Sequence, residues 1–182
     1  MAAAQVVYEA EGWGTGELVV EDGRVVWHEL PWPRAASPPT PSRTPTRPGA
    51  GAAAVVSRNP LRERGGFVAE VVCLLQAYFA GEDVSLDEVP VDLEYESPFH
   101  SSCAAALRTI PRGEVVTYGE LAALAGAPGA ARAAGTFCAR SHLSIFVPCH
   151  RVVAAGGLGS YGSYGVGYKR RLLALEGYAG AL

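Results

Sequence analysis

The sequence predicts an α+β protein with a small antiparallel sheet in its N-terminal half and a helix-turn-helix in its C-terminal half. Apolar runs rich in Val, Trp and Tyr over residues 5–30 predict the strands of the sheet. Apolar residues at helical spacing over residues 67–80 predict the helix that packs on it. Two short helices joined by a tight turn between residues 117 and 140 predict the helix-turn-helix, although an ordinary helical hairpin fits the same pattern.

Residues 5–30 begin the first domain and are typical of a β-hairpin. Asp22 and Gly23 lie between two apolar runs, where this dipeptide is a strong tight-turn signal. After Leu30 the pattern ends, because residues 31–54 hold most of the 13 prolines and show neither a helical nor a strand period. We expect a mobile, extended loop there, whose three arginines belong to a solvated linker rather than to a DNA contact.

The helix predicted over residues 67–80 is followed by Gly81, a typical C-cap. Cys73 lies within the apolar run, and we expect it to be a small buried core residue. An acidic, Pro-containing stretch follows and marks a change of composition. We therefore expect residues 1–96 to form an N-terminal α+β domain and residues 97–182 to form a second domain.

The second domain opens with a predicted helix, since Ser97 is a suitable N-cap and Pro98 suits the first helical turn. Thr117 and Glu120 have the spacing of a capping box and begin the next helix. Residues 129–140 predict a further helix made largely of very small residues. The backbone of such a helix can approach another surface closely, as a recognition helix does in a DNA groove.

Length and composition exclude several classes of protein. The 182 residues suffice for one ordinary domain or two small ones, and with 49% apolar and 18% charged residues the chain is neither disordered nor fibrous. No apolar run approaches the roughly 20 residues that span a bilayer, and we expect no secretory signal. Four cysteines at uneven spacing favour reduced thiols in a cytoplasmic protein over a disulfide framework.

The net charge of −3 is unevenly distributed along the chain. Residues 1–96 carry a net charge of −8, whereas residues 97–182 carry +5. A basic C-terminal half favours a polyanionic partner such as DNA. An excess of charge is also common on surfaces that bind no particular partner, so the charge alone leaves both interpretations open.

The segment 144–157, SIFVPCHRVVAAGG, carries the clearest chemical signal. Pro148 restricts the residue before it to an extended conformation and gives Cys149 a rigid position. His150 and Arg151 flank the thiol, and cationic neighbours favour the nucleophilic thiolate. Because adjacent side chains of a strand point to opposite faces, His150 can assist Cys149 only if the chain turns there or a water molecule bridges them. A buried structural cysteine fits the segment as well.

Four segments resemble the O6-alkylguanine-DNA alkyltransferases, also called methylated-DNA–protein-cysteine methyltransferases. They are LRTIPRGEVVTYGELAALAG, AARAAGTFCAR, VPCHRVV and KRRLLALEG, in the order and spacing of that family. The resemblance covers residues 97–178 closely and residues 67–96 more weakly. It implies an RNase H-like N-terminal domain and a winged-helix-like catalytic domain that contains the helix-turn-helix.

The resemblance also implies roles for individual residues. Cys149 would accept the alkyl group, His150 would activate it through a water molecule, and Glu176 would orient and charge that histidine, as in a serine triad. Tyr118 would help to flip the nucleotide and would donate a hydrogen bond near the guanine. Arg132 would fill the space that the base leaves in the stack.

Further positions are implied around the acceptor. Arg151 would secure the local turn or contact a phosphate, whereas Val152 and Ser163 would line the pocket. The Ser163 hydroxyl would lie near the alkylated oxygen, with Ser160 as the alternative in this Gly- and Tyr-rich stretch. The family commonly has Asn where this chain has Ser141, a shorter hydrogen-bonding group, so the link between the recognition helix and the active-site turn would be looser.

The implied function is DNA repair. The protein would flip O6-methylguanine out of double-stranded DNA and transfer the methyl group stoichiometrically and irreversibly to Cys149, as a single-turnover methyltransferase. O4-alkylthymine is a second candidate substrate. A thiolate needs no cofactor for an in-line displacement, and the sequence contains neither a P-loop nor a dinucleotide-binding glycine motif. We expect no cofactor, no metal and no membrane partner, and a cytoplasmic monomer.

Three alternatives make different demands on the same residues. A zinc site could use Cys138 and His142, which are four residues apart, together with the Cys-His pair of the VPCHRVV motif, but such an adjacent pair suits tetrahedral geometry poorly. A non-enzymatic sensor of alkylated DNA or a winged-helix regulator would not need the acceptor cysteine. A cysteine hydrolase would turn over repeatedly and release its product. If Cys149 is the acceptor, we expect alkyl transfer to persist when any of the other three cysteines is replaced.

Overall fold

The computed structural model describes residues 3–33, 55–56, 66–95 and 97–180, which form two compact units. Among these residues, the N-terminal unit holds those up to Asp92 together with His142–Ser144. The C-terminal unit holds the described part of Leu93–Ser141 and of the chain from Ile145 onward. Within the described ranges, none of the helices is both long and apolar enough to cross a bilayer.

The N-terminal unit is built on a four-stranded sheet. Its strands are β1 (Ala4–Ala10), β2 (Gly14–Glu21), β3 (Arg24–Trp32) and β4 (Val55–Val56). The strand order is β3-β2-β1-β4, with β2 antiparallel to both of its neighbours and β4 parallel to β1. The predicted small antiparallel sheet is confirmed for the three long strands, which form a meander rather than a single hairpin.

Two tight turns connect the three long strands. Asp22 and Gly23 both have positive φ angles, 49° and 73°, as a two-residue hairpin turn requires, so the predicted turn is confirmed. A further turn at residues 11–13 folds β1 against β2. β3 continues to Trp32, two residues beyond the predicted end of the apolar run. Most of the predicted loop, residues 34–54, lies outside the described residues.

Helix α1 (Phe67–Ala80) packs against β1, and its bounds and its left-handed C-cap Gly81 (φ 89°) agree with the prediction. Its buried residues form one stripe, made of Val71, Val72, Leu75, Tyr78 and Phe79. The indole N–H of Trp13 donates to the Phe79 carbonyl at 3.0 Å. Cys73 is exposed, so the prediction of a buried Cys73 is wrong. The helical period turns its side chain away from the buried stripe.

The segment His142–Ser144 is bound to β3 through His28. The main-chain N–H of His28 donates to the His142 carbonyl at 2.8 Å, and its Nδ1–H donates to the Ser144 carbonyl at 2.6 Å. Because Nδ1 carries the proton, Nε2 accepts from the Tyr8 hydroxyl at 2.7 Å. Burial lowers the pKa of His28 to about 4, although the hydrogen bond to Ser144 raises it in part. The imidazole is therefore neutral at pH 7.

The C-terminal unit is mainly helical and contains a two-stranded parallel sheet. Its helices are α2 (Pro98–Leu107), α3 (Tyr118–Leu124), α4 (Ala131–Arg140) and α5 (Gly165–Leu175). Its strands are β5 (Val116–Thr117) and β6 (Val152–Val153), and one turn of 3-10 helix at Cys149–Arg151 precedes β6. β5 and β6 pair in parallel, with Thr117 opposite Val153. This pairing places the start of α3 beside the chain that leaves Cys149.

The predicted helix-turn-helix region consists of α3 and α4, which pack against each other. The Thr117 hydroxyl oxygen accepts from the N–H of Glu120 at 3.2 Å, and the Glu120 carboxylate accepts from the N–H of Thr117 at 2.6 Å, so the predicted capping box is confirmed. Gly126, with a φ of 82°, turns the chain after α3. α4 begins at Ala131, two residues later than predicted, because Gly129 has a φ of 92° that a helix excludes.

Replacing Thr117 with Ala removes the side-chain acceptor that caps α3. We expect Thr117→Ala to lower the free energy of unfolding by about 1 kcal/mol, as the loss of an N-cap does. Thr109→Ala is a matched control, because the exposed Thr109 hydroxyl only donates to the Ala106 carbonyl at the end of α2. We expect this control to change the free energy of unfolding by less than about 0.5 kcal/mol. Urea unfolding measures both values, and equal losses in the two variants would contradict the capping role.

Candidate active site

The chain turns sharply at Cys149. Pro148 has φ −78° and ψ 66°, and the N–H of Cys149 donates to the Val147 carbonyl at 2.8 Å, which closes an inverse γ-turn. The N–H of Arg151 then donates to the Pro148 carbonyl at 2.9 Å and begins the 3-10 turn. Cys149 and His150 therefore do not lie on opposite faces of a strand. Cys149 keeps 8% of its surface exposed.

Glu176 holds the two residues that follow Cys149. Its carboxylate accepts from Nε2 of His150 at 2.9 Å and from Nε and Nη2 of Arg151 at 2.9 and 2.8 Å. The same guanidinium donates through Nη1 to the Ile110 carbonyl. His150, Arg151 and Glu176 are all buried, so the charges of Arg151 and Glu176 compensate each other and His150 adds a hydrogen bond to the carboxylate. Because Glu176 follows α5 directly, the active-site turn is tied to the end of that helix.

Gly113 allows the chain to approach Glu176 closely. The N–H of Gly113 lies 3.4 Å from Oε2 of Glu176, and a Cβ at this position would lie 2.9 Å from the Glu176 carbonyl oxygen. Its φ of 78° is in the left-handed region, which favours glycine. The guanidinium of the neighbouring Arg112 donates to the Leu175 carbonyl at 2.9 Å. The Pro-Arg-Gly sequence after α2 therefore also binds the end of α5.

The buried pair of His150 and Glu176 has a defined arrangement of protons. Burial by itself would raise the pKa of Glu176, but the hydrogen bonds from His150 and Arg151 and the charge of Arg151 outweigh it and hold this pKa well below its usual range. Burial lowers the pKa of His150, and the charges of Arg151 and Lys169 add to this effect, so Glu176 raises the pKa only in part. At pH 7 the imidazole is therefore neutral and the carboxyl is ionised. Since a carboxylate can only accept, Nε2 of His150 carries the proton and Nδ1 bears the lone pair.

The neighbours of the Cys149 sulfur lower its pKa in spite of its burial. A hydrogen bond from Cys138 lowers the pKa of Cys149 most, burial opposes it, and the Ser141 hydroxyl and the Lys169 ammonium lower it further. The net result is a pKa below that of an ordinary thiol. Cys138 lies in the last turn of α4, and Ser141 is the extended residue that follows the helix.

The positive charge that lowers the pKa of the Cys149 thiol comes from Lys169 and not from the two residues that follow Cys149 in the chain. The sequence predicts that His150 and Arg151 favour the thiolate as flanking cations, and this is wrong because both side chains bind Glu176. Of the two roles predicted for Arg151, it has the first, since it secures the local turn. Arg151 as a whole is only 7% exposed, which leaves little of it open to a phosphate.

Lys169 is the functional residue that the sequence interpretation missed. It is fully buried in α5, and its Nζ donates to three main-chain carbonyl oxygens, those of Val152, Leu158 and Ser160. Burial lowers its pKa to about 8, whereas the charges of the nearby thiols raise it in part. Its position in the helical pattern could have identified it as a buried lysine. Lys169 falls on the same helix face as three residues that follow it and are buried, Leu172, Leu173 and Glu176.

Tyr118 lies at the start of α3, next to the thiols. Its ring covers two positions without side chains, since a Cβ at Gly159 would lie 3.5 Å from the ring and one at Gly135 would lie 3.9 Å from it. Burial raises the pKa of Tyr118, the charge of Cys138 adds to this, and a hydrogen bond with the Ser160 side chain opposes it. The phenol is therefore protonated at pH 7 and can donate a hydrogen bond.

The remaining predicted site residues differ in their surroundings. Arg132 is exposed near the start of α4. Val152 is fully buried in β6. Ser163 is half-buried in the loop before α5, and the serine that hydrogen bonds to Tyr118 is Ser160. The structure thus brings Ser160 to the site by a direct contact.

Three of the four cysteines interact at this site, and only Cys149 among them has a lowered pKa. Burial raises the pKa of Cys103 to about 11, and the hydrogen bond to Cys149 raises that of Cys138 well above its usual value. Within the described residues, no three His, Cys, Asp or Glu side chains are arranged to hold a metal ion. His142, which a zinc site would require, stacks on Trp27 with ring centroids 5.7 Å apart.

Sequence comparison finds relatives that share this site region. Residues 98–178 match the family model described as 6-O-methylguanine DNA methyltransferase, DNA binding domain. The methylated-DNA–protein-cysteine methyltransferase of Mycobacterium leprae is 47% identical over 117 residues, which cover 64% of this chain and 67% of that protein. The protein of the same name from Mycolicibacterium paratuberculosis is 46% identical over 122 residues, which cover 66% of this chain and 72% of that protein.

Structural comparison finds the same mixed α/β fold in a solved structure. The crystal structure of Mycobacterium tuberculosis OGT in complex with DNA has a TM-score of 0.75 and 31% sequence identity. The alignment covers 96% of this chain and 93% of that one. The segment matched by the family model contains the residues described above, from Tyr118 to Glu176.

The reaction of Cys149 with iodoacetamide reports the acidity of its thiol. Cys138→Ala removes the strongest hydrogen bond to the sulfur, so we expect the pH profile to move to higher pH and the rate at pH 7 to fall roughly threefold to tenfold. Cys73→Ala, on the exposed side of α1, is the control and leaves the profile unchanged. Peptide mapping by mass spectrometry follows Cys149 alone. An unchanged profile in Cys138→Ala would contradict the hydrogen bond.

Proposed function

Since the chain belongs to the family of methylated-DNA–protein-cysteine methyltransferases, we propose that Cys149 is the residue that accepts the alkyl group of the damaged DNA. The chain is a DNA repair enzyme that transfers an alkyl group from DNA to a cysteine, and the resemblance seen in the sequence is confirmed at this level. We further propose that its substrate is O6-alkylguanine in double-stranded DNA.

The state of the Cys149 sulfur is the observation that carries this proposal. An ordinary thiol is largely protonated at pH 7 and attacks carbon poorly. Here Cys138, Ser141 and Lys169 stabilise the thiolate in spite of its burial. The 8% of the residue that is exposed leaves a path to the sulfur, and the γ-turn at Pro148 holds it in place.

The transfer is an in-line displacement at the alkyl carbon. The S–C bond to Cys149 forms while the C–O bond to guanine breaks, and the electron pair of that bond stays with the guanine. The protonated hydroxyl of Tyr118 donates a hydrogen bond to the departing base, which stabilises the developing negative charge. The sulfur of the resulting thioether is a poor leaving group, so the thiol is not regenerated and each chain acts once.

His150 and Glu176 prepare the thiol for attack. Glu176 holds the Nε2–H of His150, so Nδ1 is the nitrogen that accepts the Cys149 proton through a water molecule. A neutral imidazole suits this task because an imidazolium has no lone pair for the proton. Arg151 holds Glu176 from the other side and keeps the carboxylate ionised.

The target base has to leave the duplex before its oxygen can reach the sulfur, which costs on the order of a few kcal/mol. Arg132 fills the vacated space, and its exposed position near the start of α4 supports this role. Val152 and Ser163 line the pocket. Ser160, through its hydrogen bond with Tyr118, takes the position nearest to the alkylated oxygen.

The folds of the two domains, the monomeric state and the cytoplasmic location are part of the same proposal. Residues 1–96 form an RNase H-like domain, which the antiparallel meander and α1 support. Residues 97–182 form a winged-helix-like domain, which α3, α4 and the short parallel sheet support. The nucleophile, the base and the carboxylate all lie on one chain, which supports a monomer. Displacement by a thiolate requires no cofactor. The four free thiols support a cytoplasmic location.

A non-enzymatic sensor of alkylated DNA or a winged-helix regulator is not favoured. Neither function requires an acidic thiol, and this chain has one at Cys149. A cysteine hydrolase would release methyl groups and turn over. O4-alkylthymine is a second candidate substrate, because its alkylated oxygen presents the same carbon to the sulfur.

Incubation with duplex DNA that contains O6-methylguanine tests the acceptor directly. Intact mass should increase by one methyl group per chain, and tryptic mapping should place it on Cys149. Cys149→Ala should abolish transfer and leave DNA binding largely intact, whereas the control Cys73→Ala should transfer as the unchanged protein does. Methyl on a peptide without Cys149, or methyl released with repeated turnover, would refute the proposal.

Arg132 is tested by comparing paired with unpaired lesions. Because it replaces a flipped base, Arg132→Ala should slow repair of O6-methylguanine in a duplex by roughly tenfold and repair of a single-stranded oligonucleotide far less. Arg140→Ala is the matched control, since it removes the same charge from the exposed C-terminal end of the same helix. Equal losses on both substrates would count against the proposed role.

A further inference from the structure

The chain shortly before the acceptor runs beside strand β3. Leu143 pairs with His28 as an isolated parallel bridge and is fully buried. The main-chain N–H of His28 donates to the His142 carbonyl at 2.8 Å, and the Nδ1–H of its ring donates to the Ser144 carbonyl at 2.6 Å. His28 therefore holds both ends of the stretch His142–Ser144, which we call the anchored segment.

The ring of His28 is itself held from its other side. Its Nε2 accepts from the Tyr8 hydroxyl at 2.7 Å, and the two rings are stacked with their centroids 5.8 Å apart. Gly16 lies opposite Tyr8 in the pairing of β1 with β2, and a Cβ at Gly16 would lie 2.5 Å from the Tyr8 ring. The missing side chain at Gly16 thus makes room for the ring that orients His28.

The anchored segment continues directly into the turn that carries the acceptor, Pro148–Arg151. Ile145 follows the segment with a φ of 75°, a left-handed conformation that strains a β-branched residue. Such a conformation persists only where the surrounding structure holds it. Residues 145–148 are all buried, so no solvent-exposed loop separates the anchored segment from Cys149. A shift at Ser144 is therefore passed on to the turn.

We propose that His28 is a positioning residue for alkyl transfer, because its hydrogen bond to the Ser144 carbonyl fixes the upstream side of the turn that carries Cys149. On the downstream side, the turn is fixed by the hydrogen bond of His150 with Glu176. Two buried histidines thus hold the acceptor from opposite directions along the chain. This role rests on the proposed function, since it takes Cys149 as the acceptor.

The geometry of the transfer explains why this bond matters for the rate. In-line displacement aligns the sulfur, the alkyl carbon and the departing oxygen, and a misplacement of about 1 Å can slow a reaction about a hundredfold. Without the bond to Ser144, the downstream end of the anchored segment is free to move. Leu143 stays buried and His142 stays stacked on Trp27, so the other end remains on the sheet. No group proposed to contact DNA is lost.

A purely structural role for His28 predicts a different result. Either hydrogen bond of the ring would then contribute only to stability, and transfer would follow the fraction of folded protein. A positioning role instead assigns the effect to one ring nitrogen. Nδ1 bonds to the anchored segment, whereas Nε2 bonds to Tyr8 within the sheet.

The variants His28→Asn and His28→Gln separate the two ring nitrogens. The Asn amide nitrogen can replace Nδ1 as the donor to Ser144, whereas the Gln amide oxygen can replace Nε2 as the acceptor from Tyr8. With duplex DNA that contains O6-methylguanine, we expect His28→Gln to lower the single-turnover rate at saturating DNA at least about tenfold. His28→Asn should lower it less than about threefold, because the donor to Ser144 is kept. Affinity for undamaged duplex should stay within about twofold in both variants.

Tyr8→Phe is the matched control. It removes the buried hydrogen bond to Nε2 but keeps an aromatic ring beside His28 and leaves the bond to Ser144. It should lower the urea midpoint as His28→Gln does, yet transfer within about threefold of the unchanged protein. The proposal is overturned if His28→Gln transfers as fast as His28→Asn, if Tyr8→Phe loses as much as His28→Gln, or if the loss is confined to DNA affinity.

A spectroscopic measurement on the unchanged protein does not depend on the folding of any variant. Because a carbonyl oxygen only accepts, the bond to Ser144 requires the proton on Nδ1 of His28. The bond to Glu176 requires it on Nε2 of His150. Nitrogen-15 NMR at pH 7 should show these two opposite tautomers, and a proton on Nε2 of His28 would overturn the proposal.

The readouts separate this inference from the proposed function. If the unchanged protein places no methyl group on Cys149, the acceptor role is refuted and the positioning role falls with it. If the unchanged protein methylates Cys149 and the two His28 variants transfer at equal rates, the positioning role alone is refuted.

Discussion

The buried carboxylate of Glu176 is the interaction on which the active site depends. An ionised carboxyl inside a protein is stable only where its charge is compensated, and His150 and Arg151 provide that compensation here. Both residues directly follow Cys149 in the chain, so the pairing that satisfies Glu176 also fixes the turn on which the thiol lies. Gly113 brings the loop after α2 to the same carboxylate. One side chain thus joins a loop, a turn and the end of α5.

The acidity of the thiol is set by a second group of residues. Cys138, Ser141 and Lys169 act on the sulfur, whereas the imidazole of His150 stays neutral. The ammonium of Lys169 is held by main-chain carbonyls in a buried position, where water screens its charge little. The positive charge that stabilises the thiolate is therefore separate from the base that accepts the proton. The charge that stabilises the thiolate and the imidazole that takes up its proton are supplied by different side chains.

Helix α4 connects the proposed DNA contact with the chemistry. Arg132 lies exposed near its start, and Cys138 and Ser141 at its end act on the sulfur of Cys149. The sequence predicts a looser link because Ser141 is shorter than the Asn common in the family. Ser141 nevertheless lowers the pKa of the thiol, and Cys138 lowers it more. The helix proposed to enter the DNA groove is thus also the helix that sets the reactivity of the acceptor.

The sequence by itself determined the features that depend on neighbouring residues: the turn at Asp22 and Gly23, the capping box, the bounds of α1 and the motif around Cys149. Family membership also followed from it, since the motifs keep their order and spacing. Only the tertiary structure decided that Arg151 turns inward to Glu176 and that the buried charge of Lys169 acts on the thiol of Cys149. These contacts join residues about 20 or more positions apart, such as Lys169 and Cys149 or Arg151 and Glu176. Local spacing restricts the backbone over a few residues, whereas the compensation of a buried charge is settled only when distant segments pack together.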